Sequence, residues 1–488
     1  MVFQMSKLDR SLMPVLLAVA CQSGPTPGTE TEPNNDATQD ASKPPQRPDG
    51  GGLSHADGGH GGGVRAWDGS AAPAPSGLPI GLDAGADSGA NPECVQIFTP
   101  RTPSQVGLHP FWLDDSGVHI AWGRYTGDIA ISTFSAETGE SIGETLYPDP
   151  AARGGLTGVQ DVAASPDGAI VIPVGDEERK YHSLLFTHLD SPNDVVQVDT
   201  SWLMYMVNIV DIAWDGEAFA VHGKQGGTLL VARYSETGAQ LTELQPVAPA
   251  VTGLADHFDF ATDPASGRTW MAGTSAPGVF MTGYIRDLSP IAAVAEGTPV
   301  HISSGEAIAK GVSPALAVGP QGLAVGYSQY RDGTYLLELT EELEVQEVSF
   351  LPVKDVDHGL YNFSELALVW LGGWWLAGAN FEGIQLYELT PDGLQDRGSV
   401  VVHREAQCYP GNCTTDVYPS LRPKGVSLLR WREQLWLGFR DSSEAENGGV
   451  PSPYPYRVVK VAAGCQYLSV QSMRSAGLPV PTTNLGDR

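Results

Sequence analysis

A chain of 488 residues has room for two or three ordinary domains, or for one repeat body larger than the usual domain. Its 58 Gly and 37 Pro are too many for a helical protein, while Val, Ile, Tyr, Trp and Thr recur in short alternating runs, so the class is all-β. A net charge of −29, of which residues 91–488 carry −24, opposes binding to nucleic-acid phosphates or anionic headgroups and excludes nucleic acid as a partner class.

In chain order, residues 1–20 come first as an export address. Lys7 and Arg10 precede the apolar run Leu12-Met13-Pro14-Val15-Leu16-Leu17-Ala18-Val19-Ala20, which ends at Cys21. The run is too short to span a bilayer as a helix and suits the hydrophobic region of a signal peptide. Ala18-Val19-Ala20-Cys21 resembles the bacterial lipobox, with Ala18 where leucine is commoner. The resemblance implies that the Cys21 thiol receives a diacylglycerol and becomes the acylated first residue of the mature chain, anchored in a bilayer by several acyl chains. It further implies, through Gln22 in place of Asp, sorting to the outer membrane of the cell envelope. An ordinary secretory signal followed by an incidental cysteine is the alternative.

Residues 21–92 are the predicted tether. The segment is rich in Gly, Pro, Ala, Asp and Thr, with Trp67 as its only aromatic residue, and cannot bury enough apolar surface to offset its ordering entropy. His55 and His60 within it are read as solvated linker residues.

Over residues 93–470 the pattern changes to an inner run, a tight turn, a second run, a loop, a third run and a polar turn. The clearest copy is Asp211–Gly216, Ala218–Gly223 and Thr228–Tyr234, followed by Ser235-Glu236-Thr237-Gly238. Similar units begin near Pro110, Asp161, Asp211, Asp259, Ala315, Glu365 and Val426, so the period is about 50 residues, as in propeller blades whose sheets bury both faces. The third run is expected at 128–134, 181–188, 228–234, 279–285, 334–339, 383–389 and 456–461. Seven blades follow, or six or eight if one irregular unit is counted differently. This resembles β-propeller repeats in general. The period matches kelch, but the paired glycines that follow the second strand in kelch are missing from most units. The segment Asp263-Pro-Ala-Ser-Gly-Arg-Thr-Trp270 resembles the Asp-box turn of sialidases at its Gly267-x-Thr269-Trp270 end, with Ala265 where the Asp belongs. Residues 471–488 are read as a flexible tail.

Five cysteines in an exported chain divide into one lipidated residue and two pairs. Cys408 and Cys413 bracket a Pro-Gly turn and are expected to form a local disulfide. Cys94 and Cys465 flank the first and last strands of the body, whose ends a propeller must bring together. The first strand, 95–98, is therefore expected to complete the final blade beside 456–461, with Cys94 bonded to Cys465. A zinc site is the alternative for either pair, but no further Cys or His stands at ligand spacing.

No nucleophile elbow, His-Glu-x-x-His, Walker loop or EF-hand loop is present. That removes several easily recognised enzymes, although propeller hydrolases assemble their sites from single residues on different blades. Ile120, Phe219, Trp270, Trp375 and Trp436 fall at closely similar places in the second strands, and such recurrence implies packing between blades. Asp161, Asp211, Asp259 and Glu365 recur at the start of four inner strands, which line a propeller's channel. One reading is that each carboxylate accepts neighbouring backbone N–H groups. The sharper one is a partial acidic ring holding a hard cation such as Ca²⁺. No other cofactor is implied. His182, His188, His257 and His358 are read as core or rim residues, and the sequons at Asn362 and Asn412 as incidental. The leading expectation is a monomeric, membrane-anchored binding or scaffold propeller for a protein, peptide or glycan, acting through excursions at 404–420 and 442–456. The alternative is a propeller hydrolase or lyase acting on polysaccharide or lactone.

Overall fold

The computed structural model describes residues 64–66, 94–99, 111–123, 128–147, 158–159, 161–175, 181–188, 190–199, 207–225, 228–246, 258–275, 278–294, 300–302, 314–329, 333–352, 365–380, 383–402, 424–441, 456–468 and 473. These residues build seven small sheets in chain order, each with an antiparallel meander; from the second to the seventh, and from the seventh to the first, the inner strand contacts that of the next sheet, while the first sheet meets the second sheet's inner strand through its own second strand. The protein is a seven-bladed β-propeller. The inner strands begin at Phe111–Asp114, Gly158–Val159, Val207–Trp214, Phe258–Asp263, Ala315–Gly319, Glu365–Trp370 and Lys424–Trp431. The expected units begin within a few residues of each. The third strands Tyr181–His188, Thr228–Tyr234 and Tyr456–Val461 fall where expected, Ile129–Phe134, Gly333–Leu339 and Gly383–Thr390 differ by one residue at an end, and Gly278–Tyr284 is shifted by one residue.

The alternation of blade 3 shows why these sequences give blades. Phe219 and Val221 of the second strand, with Leu230, Ala232 and Tyr234 of the third, pack toward blade 2. Ala220, Leu229 and Val231 point the other way, against Met271, Phe280 and Tyr284 of blade 4. Successive side chains of a strand emerge on opposite faces, so a strand buried on both faces needs an apolar residue at nearly every position. Among the described residues, seven buried clusters occupy the seven seams between blades.

The five second-strand residues singled out above are all in this core, each at most 6% exposed. They divide between two faces, however. Trp270, Trp375 and Trp436 pack toward the following blade, whereas Phe219 and Ile120 pack toward the preceding one. The hairpins differ in length: Phe219 pairs with Trp214 at the turn, whereas Trp270 stands three pairs in, opposite Ala261.

The Asp263–Trp270 turn is structural. The Asp263 carboxylate accepts the N–H groups of Ala265 and Ser266, Gly267 adopts φ +68°, and Trp270 Nε1 donates to the Glu341 carbonyl of blade 5. In blade 3, Gly216 (φ +94°) sits so close to blade 4 that a Cβ there would lie 1.9 Å from the Pro264 oxygen.

The ring closes between its two ends. The strand Gln96–Phe98 pairs antiparallel with Tyr456–Val461 as the outermost strand of blade 7, Gln96 opposite Val459 and Phe98 opposite Arg457. Cys94 is disulfide-bonded to Cys465, with Cα atoms 5.4 Å apart. Arg457, fully buried, donates from Nη1 to Asp441 Oδ2 (2.6 Å) and the Leu468 carbonyl (2.7 Å), and from Nη2 to Gln96 Oε1 (2.6 Å). Its guanidinium lies over the rings of Phe98 and Phe439. Two outer edges carry a further strand in parallel: Tyr467–Leu468 on blade 6, and Val64–Ala66, from the segment read as tether, on blade 5. Cys21, Cys408 and Cys413, with the segment read as a signal peptide and most of that read as tether, lie outside the described residues. No helix among the described residues is long and apolar enough to cross a membrane.

Candidate functional site

The four recurrent acids stand where the inner strands of blades 2, 3, 4 and 6 enter the channel, and all keep intermediate exposure. Asp161 lies in the break between Gly158–Val159 and Ala163–Ala164, and a bulge after Ile209 sets Asp211. Asp161 Oδ2 accepts the Ile212 N–H of blade 3 (2.7 Å) while Oδ1 accepts that of Val162. Asp259 repeats the arrangement, with Leu316 N–H of blade 5 at 2.7 Å and its own Phe260 N–H at 3.0 Å. Glu365 Oε2 accepts Val426 N–H of blade 7 at 3.1 Å. Each of these three carboxylates thus pins the inner strand of the next blade, the role assigned to them when they are read as acceptors.

Asp211 is turned to a different task. Its Oδ2 lies 2.9 Å from Nδ1 of the buried His222, whose Nε2 is 2.5 Å from the Tyr284 hydroxyl of blade 4 and whose ring stacks on Phe260. The seam between blades 3 and 4 is therefore crossed by the His222–Tyr284 hydrogen bond, with the Asp211 carboxylate close beside His222 but not aligned for a hydrogen bond to it. Burial pushes the Tyr284 hydroxyl well above the ordinary phenol range.

Among the described residues no three His, Cys, Asp or Glu are placed to hold a metal ion together. The structure does not gather Asp161, Asp211, Asp259 and Glu365 into a Ca²⁺ ligand set: three of them turn an oxygen to the next blade, and Asp211 turns to His222 of its own blade. The acids still feel one another. Burial, then the Asp211 charge, raises the Asp161 carboxyl well above its usual range. Burial, opposed by the Leu316 N–H and reinforced by Asp211, pushes Asp259 up to about 7.

A carboxyl raised in the folded state stabilises the fold fully below its unfolded value, near 4, and that contribution is lost as pH rises through about 7. Stability is therefore expected to fall between pH 4 and 7, by about 1–3 kcal/mol from Asp259 once channel water is allowed for. Asp259→Asn should flatten this slope; thermal melts across that range that are identical in the variant and the parent would contradict it.

Sequence reasoning missed the Asp211, His222 and Tyr284 cluster and a second interblade device just past the far end of the blade 3 inner strand. There, Arg233 pairs through Nε and Nη2 with buried Asp215, and Arg286 of blade 4 donates to the Asp215 carbonyl and to Glu217. On blade 1, Asp114 Oδ1 accepts from Ser116 and lies 2.9 Å from His119 Nε2. The other nitrogen of His119 meets Thr133 rather than a carboxylate, so the trio is a bonded turn, not a nucleophilic triad. Of the histidines named from the sequence, His188 lies partly buried at the end of a third strand, and His257 and His358 fall outside the described residues, as do Asn362 and Asn412.

No family model matches the chain, and no curated protein matches it. Among solved structures it is similar to a putative 6-phosphogluconolactonase from Bacteroides fragilis, at 11% identity over 62% of this chain and 94% of that one, with a TM-score of 0.37. It is also similar to a fucose-specific lectin from Aleuria aurantia (11%; 63% and 95%; TM-score 0.36). A third is the PQQ-bound aldose sugar dehydrogenase of Streptomyces coelicolor (10%; 62% and 94%; TM-score 0.35). Likenesses at this level carry no argument about ligand or reaction.

Proposed function

We propose that this chain is a lipid-anchored protein of the cell envelope whose propeller is a binding or scaffold module for a protein, peptide or glycan. The observation that carries the reading is the use made of the channel carboxylates. Asp161, Asp259 and Glu365 each spend an oxygen on the N–H of the next blade. A general acid or base must give up and regain a proton at an accessible oxygen in each turnover, and doing so here would loosen the ring. The anchor rests on Ala18-Val19-Ala20-Cys21 and the basic, then apolar, segment before it.

The alternative, a hydrolase or lyase, draws on one observation: Asp259, pushed up to about 7, titrates where a general acid works at neutral pH. Co-purification from membranes, set beside turnover on a glycan and lactone panel, separates the two. A partner enriched with no turnover supports binding, and turnover lost in Asp259→Asn supports catalysis.

For the anchor, the mature protein is expected to begin at Cys21 and to partition into detergent. Cys21→Ser should release it to the aqueous phase or block its processing. Mass spectrometry that found an unmodified Cys21 in membrane-purified mature protein would contradict the anchor.

A further inference from the structure

The outer edges of the blades are not alike. Those of blades 5 and 6 already carry an added parallel strand, and those of blades 3, 4 and 7 are strands of only two or three residues. Blade 2 ends in Ser191–Asp199, whose sequence places Pro192 and Asp194 on the edge. Blade 1 ends in Ser141–Tyr147, seven residues with neither Pro, Lys nor Arg. Proline and lysine are the usual guards against strand addition, and this edge has neither.

A bulge at the start of the strand sets Ser141 opposite Phe134 and Gly143 opposite Thr133, and beyond it the pairing is regular to Tyr147 opposite Ile129. Tyr147 is buried against blade 2, while Ile142, Glu144 and Leu146 emerge together on the other face. Ile142 is 62% and Leu146 45% exposed, and a Cβ at Gly143 would meet open space. Between the two aliphatics stands Glu144, exposed, with Oε2 accepting from Ser132. No Lys or Arg occurs between Arg124 and Arg153, a stretch that also holds Asp128, Glu137, Glu140 and Asp149.

We propose that the outer strand of blade 1 is a docking edge for an extended peptide with an apolar–basic–apolar face, which adds as a fifth strand and sets its lysine or arginine against Glu144. Blade 6 shows the mode of addition within this fold, and charge and side-chain spacing select the occupant. A second copy of the chain is a poorer occupant. The two-fold register that matches Ile142 with Leu146 places Glu144 opposite itself, and like charges directly opposed destabilise a strand pair. The proposal rests on the binding reading above and names the partner chemistry of one surface.

The test uses the full-length protein in detergent and three blocked heptapeptides with threonine at the odd positions and valine at the second and sixth. The fourth position is lysine, glutamate or threonine, and binding is read by fluorescence anisotropy. The lysine peptide is expected to bind at least tenfold more tightly than the glutamate peptide. Ile142→Lys with Leu146→Lys should weaken it at least tenfold with no change in melting temperature, since both side chains are exposed. Glu144→Lys should reverse the preference to the glutamate peptide. Failure of the lysine peptide to bind, equal binding of lysine and glutamate peptides, or indifference to the Ile142 and Leu146 changes would overturn the proposal. So would a dimer in light scattering that Ile142→Lys abolishes, which would give the edge to a second copy. Capture of the same membrane partner by wild type and by the doubly substituted protein would overturn this edge while leaving the binding reading intact.

Discussion

Replacing Arg457 by Met is expected to lower the unfolding free energy by about 3–5 kcal/mol, read as a lower guanidinium midpoint at unchanged slope. The guanidinium is enclosed on the third strand of blade 7, where every neighbour was placed for a cation. It supplies hydrogen bonds to Asp441, Gln96 and the Leu468 carbonyl, which belong to three different segments of the closure. Burial lowers the Arg457 pKa, and Asp441 opposes that shift, so the buried guanidinium and the carboxylate compensate each other's desolvation. Methionine fills much of the volume but takes the cation away from the Asp441 carboxylate, which is 3% exposed. Loss of that compensation for a buried charge is the main cost. Adding Asp441→Leu should therefore recover a large part of the loss, because two matched apolar side chains replace an ion pair more cheaply than one does. A single variant within 1 kcal/mol of wild type, or a double variant worse than the single, would show that the pair does not hold the seam.

The sequence made the architecture legible because a propeller repeats one solution. Each blade needs an inner run, a turn at a fixed place and two further strands buried on both faces, so Asp211–Tyr234 could serve as a template for the other six units. What could not be read was the orientation of individual side chains. The hairpin turns vary in length, so Phe219 and Trp270, which look equivalent by position, face opposite seams. The interblade chemistry had only an indirect signal. Arg233 and Arg457 each interrupt a strand with few polar positions, and a charge buried on both sides must meet a counter-charge from another segment. That rule predicts a partner without naming it: Asp215 lies 18 residues from Arg233, and Asp441 lies 16 from Arg457. The recurrent acids were legible as a set, but not their division of labour. Asp161 and Asp259 accept from the following blade, whereas Asp211 meets His222, because only blade 3 has a histidine at that place in its second strand.

Loss of the Cys94–Cys465 bond is expected to have the other large effect. The bond spans a sequence separation of 371, and in the chain-entropy model a loop of that length is worth up to about 6 kcal/mol through restriction of the unfolded chain. Without it, closure of the ring depends on a three-residue strand, Gln96–Phe98, together with Thr99, whose N–H and hydroxyl donate to the Tyr456 carbonyl. Tyr467 adds hydrogen bonds to the Val95 and Lys460 carbonyls. A strand this short closes a ring of seven blades only while both termini are held nearby, and the disulfide holds them. Cys94→Ser with Cys465→Ser should therefore lower stability by about 3–6 kcal/mol. Blade 7 should also become the first to open, with the amides of Tyr456–Val461 exchanging faster than those of Thr228–Tyr234 in blade 3. Arg457→Met and the cysteine changes act on the same joint, so their costs should combine to less than their sum. Uniform acceleration of exchange across all seven blades would place the weak point elsewhere, and an unchanged denaturation midpoint in the serine variant would mean that the short strand and the Arg457 contacts close the ring unaided.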